Sequence, residues 1–168
     1  MLSAALAMAA TSLAIPVLHR LAWLASHDPA APGADEVTRQ RGRSDCGAAA
    51  LGMVLSHHGI EGASLDELET ALRIRSDGTS LLALSQAAGE RGLASRGLRL
   101  NVQDLGNVSM PVIAHVHDSH FVVVRRAGEQ LIVDDPEIGR LRMSARTFDR
   151  AWNGIVLTFE RTEGDVPM

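Results

Sequence analysis

The stretch QRGRSDCGAAALGMVLSHHG, residues 40–59, predicts a helix that carries the only cysteine of the chain near its start. Apolar side chains recur on neighbouring turns from about Cys46 to His58, so most of this helix is expected to be buried. Either residue of the Ser-Asp pair before Cys46 can supply the N-cap, and Gly59 suits a left-handed C-terminal stop. The cysteine therefore lies in the first turn of the predicted helix.

Cys46 has two interpretations, a reactive nucleophile or a small buried hydrophobic residue. The unpaired N–H groups of a first helical turn, together with the helix dipole, favour the thiolate, which is the form that attacks a carbonyl carbon. A single cysteine cannot form an internal disulfide, a CxxC redox pair or a cysteine-rich zinc site. A thiol nucleophile also needs a base, and that base needs an orienting partner.

The composition indicates one globular domain with an N-terminal extension. Hydrophobic residues make up 46% of the 168 residues, which is enough for a packed core. The net charge of −4 and the pI near 5.9 argue against nucleic acid as a partner. Arg39, Arg41 and Arg43 form only a short basic cluster.

Residues 1–26 form a hydrophobic N-terminal segment, and residues 27–36, rich in Ala, Pro and Gly, are predicted to be a linker. Residues 1–18 carry no charge, which is about the minimum length for a membrane span. We therefore expect membrane association through residues 1–26, with the following domain in the cytoplasm because the nearby basic residues lie downstream. The alternatives are a signal that exports the domain to the periplasm, a buried Ala-rich helix and a misassigned start codon.

The remaining residues predict an α+β fold in residues 37–160, with helices first and an antiparallel sheet after them, followed by a short tail at 161–168. A Ser-x-x-Glu capping box opens a second helix at Ser64, and a third helix ends near Gly92. From there the hydrophobic period changes to two, which predicts strands. The predicted strands lie in residues 94–100, 110–117, 120–135 (two strands joined at Ala127-Gly128) and 155–160, with a short helix or turn in 144–154.

Four of the seven histidines are excluded as the base by their positions. His19 and His27 lie in the N-terminal extension. His57 and His58 lie at the far end of the predicted helix, about 17 Å from Cys46 at 1.5 Å per residue, which is too far to accept its proton. The histidines that remain are His115, His117 and His120.

His120 opens an apolar predicted strand, and Asp134 and Asp135 close the next one. In an antiparallel pair the start of one strand lies beside the end of the other, so His120 can meet an aspartate. A carboxylate that accepts a hydrogen bond from one ring nitrogen fixes the tautomer and leaves the other nitrogen for the thiol. The pattern alone leaves open which of the two aspartates does so.

The sequence HVHDSH, residues 115–120, has a second interpretation as a metal cluster. His115 and His117 are predicted on the same face of a strand, which suits two ligands of a site with a third histidine and Asp118. Such a cluster leaves Cys46 and its helix unexplained. We therefore favour structural roles for His115 and His117, and no metal is predicted.

Several groups of residues occur in a characteristic order: Q-x5-C-G in residues 40–47, DGTSLLALSQAAGERGL in 77–93, PVIAHV in 111–116, HFVVV in 120–124, VDDPEIG in 133–139 and WNGIVL in 152–157. Together they resemble the C39 peptidase family, papain-like cysteine peptidases best known as N-terminal domains of bacteriocin-exporting ABC transporters. The resemblance extends from about Val37 to Phe159. It implies the papain-like fold, with N-terminal helices packed on an antiparallel sheet.

The resemblance also implies a catalytic triad of Cys, His and Asp, with an upstream Gln that completes an oxyanion hole. The matching positions are Cys46 in SDCG, His120 in SHFVVV and Gln40, six residues before the cysteine. The family's aspartate directly precedes a proline, which favours Asp135 over Asp134. No cofactor is implied.

The implied function is that of a cysteine endopeptidase that cleaves after a Gly-Gly pair at the end of the leader of a secreted peptide precursor, as in bacteriocin processing. A narrow channel explains this preference, because only residues without side chains pass close to the thiolate. No ATP-binding cassette or set of transporter spans follows the domain, so we expect a stand-alone form, with a separate ABC exporter as a candidate partner. The alternative is a non-catalytic module that binds a leader peptide or a partner protein without cutting it.

Overall fold

The structure is a computed structural model, and it describes residues 17–61, 63–74, 78–117 and 119–161. Residues 17–24 are helical, and two short 3₁₀ helices span Ala34–Glu36 and Val102–Asn107. The α-helices that follow in the chain are α1 (Cys46–His57), α2 (Leu65–Ala71), α3 (Leu81–Gly89) and α4 (Ala145–Asp149).

The described strands form one antiparallel sheet in the order β1-β6-β2-β3-β4-β5. The α+β class predicted from the sequence is therefore confirmed, although the sequence pattern does not predict β5. The strands are β1 (Leu93–Arg99), β2 (Val112–Val116), β3 (His120–Arg126), β4 (Leu131–Asp135), β5 (Gly139–Met143) and β6 (Trp152–Arg161).

The ends of the first two helices follow the local sequence signals. Helix α1 begins at Cys46, and Gly59, two residues after its last residue, has the left-handed φ of 69° expected of a C-terminal stop. Before α2, the Ser64 hydroxyl accepts a hydrogen bond from the Glu67 N–H at 3.3 Å, and the Glu67 carboxylate accepts one from the Ser64 N–H at 2.8 Å. The predicted capping box is thus present.

An apolar core lies on each face of the sheet. Side chains alternate along β3, because successive residues of a strand point to opposite faces. Phe121 and Val123 pack with α1 to α3, whereas Val122 and Val124 belong to the second core, together with Trp23 and residues of α4. Helix α1 packs across β3, which brings the helix that carries the cysteine next to the strand that carries His120.

The segment of residues 17–36 packs along β5, the outer strand of the sheet. The Ser26 carbonyl accepts a hydrogen bond from the Arg142 N–H at 2.8 Å, and the Asp28 N–H donates to the Arg140 carbonyl at 2.9 Å. These bonds satisfy backbone groups that an edge strand otherwise leaves exposed. The segment is therefore a packed part of the fold.

The prediction of a membrane anchor in residues 1–26, and of the membrane-associated location that it implied, is wrong. No helix in the part of the chain that the structure describes has the length and apolar character of a membrane span. Within that segment the described residues 17–26 direct Trp23 into the core, where it is fully buried. Residues 1–16 lie outside the described residues.

Candidate active site

Strands β3 and β4 bring His120 and Asp135 together. Strand β3 begins at His120, β4 ends at Asp135, and the two strands are antiparallel neighbours. His120 Nε2 lies 2.8 Å from Asp135 Oδ1. The Asp135 side chain is fully buried, and 12% of the His120 side chain is exposed. The histidine and one of the two candidate aspartates are thus in hydrogen-bond contact.

Helix α1 places Cys46 at the His120 ring. Cys46 is the first residue of α1, and its side chain lies close enough to the His120 ring to raise the pKa of the imidazole. Because Nε2 of the imidazole faces Asp135, Nδ1 is the ring nitrogen left for the sulfur. Only 4% of Cys46 is exposed.

The Asp135 carboxylate accepts two further hydrogen bonds. The backbone N–H of Glu137 donates to Oδ1 at 2.8 Å, and the indole N–H of Trp23 donates to Oδ2 at 2.8 Å. Both oxygens are therefore held, which fixes the plane of the carboxylate. The sequence pattern does not predict the Trp23 contact; the one signal for it is that a buried tryptophan needs a partner for its N–H.

The protonation states of His120 and Asp135 depend on each other. Burial alone would lower the pKa of His120, but the hydrogen bonds to Asp135 and Cys46 raise it to about 9. Burial alone would raise the pKa of Asp135, but the hydrogen bonds that it accepts, foremost the one from His120, hold that pKa below its ordinary value. At neutral pH the pair is therefore an imidazolium beside a carboxylate.

Asp134, the other candidate aspartate, has different partners. Arg125 Nε donates to its Oδ2 at 2.7 Å, and Arg140 donates to both oxygens, from Nε at 2.6 Å and from Nη2 at 2.8 Å. Asp134 and Asp135 point to opposite sides of β4, as successive strand residues do. Asp135 is therefore the aspartate beside the imidazole, and Asp134 belongs to a buried ion pair.

Gln40 lies close to the end of β4. Its backbone N–H donates to the Pro136 carbonyl at 3.0 Å, which ties the loop before α1 to the residue that follows Asp135. Its Nε2 donates to the Gly42 carbonyl at 2.8 Å. Its Oε1 is buried and has no hydrogen-bond partner among the described residues. The loop that leads to Cys46 is thus attached directly to the turn after Asp135.

Asp45 occupies the N-cap position of α1, but its side chain makes no capping hydrogen bond. The carboxylate instead accepts from the N–H of Arg41 at 2.8 Å and from the N–H of Gly42 at 3.0 Å. Of the two capping candidates, Asp45 therefore stabilises the preceding loop rather than the first turn of the helix. Its carboxylate does not compete for the N–H groups around Cys46.

Gly47, next to Cys46, is required by packing. A Cβ at this position would lie 2.4 Å from Thr79 Cγ2 and 3.4 Å from Phe121 Cδ2. Thr79 belongs to the loop before α3, so the missing side chain lets that loop close against the first turn of α1.

His115 and His117 contact different residues. His115 Nδ1 is 2.6 Å from Asn153 Nδ2. His117 lies in the turn after β2 with φ of 50°, and its ring packs edge-on against Trp23 with centroids 4.9 Å apart. The sequence pattern predicts both rings on one face of a strand. The structure does not place them so, because His117 lies beyond the end of β2.

One group of three side chains in the described part of the chain brings possible metal-ligand atoms within 4.8 Å of one another: His120, Asp135 and Glu137. His120 and Asp135 bond to each other, and the Glu137 carboxylate pairs with Arg20 at 2.9 Å. This group coincides with the site around Cys46 and differs from the HVHDSH cluster, of which Asp118 lies outside the described residues.

Sequence comparisons relate the chain to known proteins. A family model described as the peptidase C39 family matches residues 35–164. An uncharacterised protein of Methanothermobacter marburgensis is 31% identical over 132 residues, which cover 78% of this chain and 92% of that protein. The probable functional amyloid protease FapD of Pseudomonas aeruginosa is 32% identical over 134 residues, 72% of this chain and 58% of FapD. The match thus spans little more than half of FapD.

A much longer transporter protein is similar to this chain over a small part of its own length. The probable microcin-H47 secretion/processing ATP-binding protein MchF of Escherichia coli is 31% identical over 122 residues, which cover 72% of this chain and 17% of MchF.

Solved structures share the fold. A double glycine motif protease from an AMS/PCAT transporter, in complex with the leader peptide, superposes with a TM-score of 0.71 at 31% identity, over 75% of this chain and 91% of that one. The peptidase domain of Streptococcus ComA, a bifunctional ABC transporter involved in a quorum sensing pathway, gives a TM-score of 0.69 at 28% identity, over 74% of this chain and 97% of that one.

Proposed function

The chain belongs to the peptidase C39 family, and we propose that it is a cysteine endopeptidase that hydrolyses a peptide bond after a glycine-rich leader junction. Family membership and the likeness to solved C39 domains bear out the resemblance and the papain-like fold. One observation carries the proposed activity: the His120 ring bonds the Asp135 carboxylate and lies beside the Cys46 side chain at the start of α1. A nucleophile, a proton carrier and an orienting group are thereby arranged in one row.

In the proposed reaction the Cys46 thiolate attacks the carbonyl carbon of the scissile bond while His120 is an imidazolium. Collapse of the tetrahedral intermediate breaks the C–N bond, and His120 gives its proton to the leaving amine. The neutral imidazole then takes a proton from a water molecule, whose oxygen attacks the thioester. The second collapse releases the carboxylic acid product and restores the thiolate, and Asp135 orients the ring throughout.

Gln40 and the backbone N–H of Cys46 are the proposed donors to the oxyanion. Gln40 Nε2 has two N–H groups, of which one bonds to the Gly42 carbonyl, and we assign the other to the oxyanion. The Asp45 carboxylate bonds to the loop instead of the helix start, which leaves it out of competition for the Cys46 N–H. In a comparable site such a donor contributes about 2.7–4 kcal/mol to transition-state stabilisation.

The buried position of the sulfur supports a glycine-rich junction as the substrate. Because only 4% of Cys46 is exposed, an extended backbone without side chains fits the approach best. The related double glycine motif protease is bound to a leader peptide, and MchF is described as a secretion and processing protein. We assign the same class of junction to this chain, with a separate ABC exporter as the partner that exports the processed peptide.

The proposed function is tested with purified protein and a pair of synthetic leader peptides, one with a Gly-Gly junction and one with Ala-Ala in its place. We expect the wild-type protein to cut the first peptide after the second glycine and to leave the second peptide intact. The Cys46→Ala variant should give the same circular dichroism spectrum and cut neither peptide. Cleavage by Cys46→Ala at the wild-type rate contradicts the proposed nucleophile.

A module that binds the leader without cutting it is the alternative. In that case the wild-type protein and Cys46→Ala bind the Gly-Gly peptide with the same affinity in calorimetry, and mass spectrometry detects no product from either. That combination of results refutes the peptidase assignment.

A further inference from the structure

We propose that Trp23 is a positioning residue of this active site, whose indole N–H holds the Asp135 carboxylate in the orientation that directs His120 towards Cys46. The inference rests on the proposed peptidase function and deepens it. It adds to the site a side chain from outside the family match, which begins at residue 35.

The contact itself has the geometry of a strong hydrogen bond. Trp23 Nε1 lies 2.8 Å from Asp135 Oδ2, and both residues are fully buried. Oδ1 accepts from His120 and from the Glu137 N–H, whereas the donor to Oδ2 among the described residues is Trp23. A hydrogen bond to a buried charged group is stronger than one between neutral groups, so its loss leaves an anionic oxygen without compensation.

Aromatic neighbours fix the indole ring in its position. The His117 ring packs edge-on against it at 4.9 Å between centroids, and the Phe148 ring stacks at 6.1 Å with 28° between the planes. A ring held on two sides cannot rotate away from Asp135. The N–H is therefore pre-oriented rather than free to adapt to the carboxylate.

Contacts with β5 and the β4–β5 turn fix the segment that carries Trp23. Arg20 Nη2 pairs with the Glu137 carboxylate at 2.9 Å, and Arg142 Nε pairs with Asp28 at 3.0 Å. The Pro32 carbonyl accepts a hydrogen bond from Arg140. The segment is thus attached on both sides of Trp23, which makes the position of the indole a property of the fold.

The charged and titratable groups that the structure places around this contact come from several elements. His120 approaches Asp135 from β3, Glu137 follows it in the turn and bonds Arg20, and His117 lies against the indole ring. Of the titratable side chains in the described part of the chain, His120 is the one that bonds the carboxylate. A change at Trp23 is therefore expected to act on catalysis through Asp135 and His120.

The test compares two substitutions of the same kind in the same core. Trp23→Phe keeps an aromatic ring and removes the N–H that reaches Asp135. Trp152→Phe makes the same change at the other tryptophan of the chain, whose N–H donates to the Ile155 carbonyl at 2.9 Å. Both side chains belong to the second core, and Phe148 packs against both rings. Trp152→Phe is therefore a matched control for lost volume and a lost hydrogen bond.

We expect Trp23→Phe to lower kcat on the Gly-Gly peptide about tenfold or more with KM nearly unchanged, since one charge-assisted hydrogen bond is lost. Trp152→Phe should keep kcat within about twofold at a temperature where both variants are folded. In the Asp135→Asn background, Trp23→Phe should lower kcat no further, because residues that act as a unit are not additive. Equal kcat losses in the two Trp→Phe variants, or an unchanged kcat in Trp23→Phe, overturn the proposal.

A second readout does not depend on the substrate. The rate at which iodoacetamide alkylates Cys46, the only thiol of the chain, is measured from mildly acidic to mildly alkaline pH. Trp23→Phe should lose reactivity on the acidic side, because its Asp135 carboxylate is protonated at a higher pH; Trp152→Phe should follow the wild-type profile. If the wild-type protein cuts no peptide, this profile still decides the role of Trp23. Superimposable profiles for all three proteins contradict it.

Discussion

Asp134 and Asp135 are adjacent in the chain and equally buried, yet they belong to two different regions of the molecule. Asp134 lies between two guanidinium groups, Arg125 and Arg140, which donate three hydrogen bonds to it. Asp135 has no arginine partner among its described contacts; it accepts from a histidine, an indole and a backbone N–H. The Asp134 carboxylate is neutralised by arginines, which keep their charge. The Asp135 carboxylate is neutralised by His120, which can release its proton.

The difference in partners assigns different roles to two adjacent residues of β4, a stabilising role to Asp134 and, in the proposed function, a catalytic role to Asp135. An arginine stays protonated at any relevant pH, so the Asp134 ion pair is permanent. The charge of His120 depends on pH, and this ring also contacts the thiol. We therefore expect changes at Asp134 to act on the free energy of unfolding, and changes at Asp135 to act on kcat.

The largest expected effect is that of Asp135→Asn on catalysis. Both oxygens of Asp135 face N–H donors, so the amide group of an asparagine must point its own N–H towards one of them. The imidazole then loses its fixed tautomer and its anionic partner, and kcat should fall by roughly 10³-fold or more, as for triad aspartates elsewhere. Peptide cleavage assays measure this loss, with Asp134→Asn as the isosteric control. A kcat of Asp135→Asn within tenfold of the wild-type value would contradict the catalytic role of Asp135.

Asp134→Asn should show the second largest effect, on stability. Arg140 is buried and loses its carboxylate in this variant, and removal of one partner of a buried pair costs about 3–5 kcal/mol. Urea unfolding followed by circular dichroism measures the change. At a temperature where the variant is folded, kcat on the leader peptide should stay close to the wild-type value. An unchanged midpoint together with a collapsed kcat would reverse the roles assigned to the two aspartates.

The pH dependence of stability sharpens the comparison. The pKa of His120 is raised from 6.5 to about 9, so its contribution to stability is fully present below 6.5 and is lost as the pH rises through about 9. We expect the free energy of unfolding to decrease by on the order of 1–3 kcal/mol over this range. Asp135→Asn should flatten this decrease, whereas Asp134→Asn should keep it. Urea titrations at pH 6.5 and at about pH 9 measure the change in the free energy of unfolding. An equal change in Asp135→Asn and Asp134→Asn contradicts the prediction.

Arg125→Ala should have the smallest effect. The Arg125 side chain is 19% exposed and gives one of the three hydrogen bonds to Asp134, while Arg140 retains the other two. Because Arg140 still neutralises Asp134, the unfolding midpoint should shift less than in Asp134→Asn. Peptide cleavage should be unaffected. A loss as large as that of Asp134→Asn would mean that Arg125, not Arg140, is the main partner.

Local sequence signals predict the parts of this molecule that depend on neighbours along the chain. The start of α1 at Cys46, the capping box at Ser64 and the left-handed Gly59 all follow from short-range backbone hydrogen bonding. The approach of His120 to an aspartate follows from antiparallel pairing of consecutive strands.

The parts that the sequence pattern does not predict depend on residues far apart in sequence. Strand β5 has arginines at alternate positions and gives no apolar signal for a buried strand, because the partner of Arg140 is Asp134 on β4. The uncharged composition of residues 1–18 predicts a membrane span, whereas Trp23 is buried in the core and the chain after it bonds to β5. A hydrophobic pattern reports burial and does not report what the residue is buried against.

Covalent labelling with a leader peptide that ends in a Gly-Gly chloromethyl ketone tests the central claim most directly, because attachment requires the thiolate of Cys46 and a fitted glycine junction. Intact-protein mass spectrometry gives the rate of labelling for the wild-type protein, Asp134→Asn and Asp135→Asn, with Cys46→Ala as the blank. We predict one adduct on Cys46 that forms at similar rates in the wild-type protein and Asp134→Asn, at least tenfold more slowly in Asp135→Asn, and not at all in Cys46→Ala. Equal rates in the two aspartate variants, or an adduct on Cys46→Ala, would contradict the account.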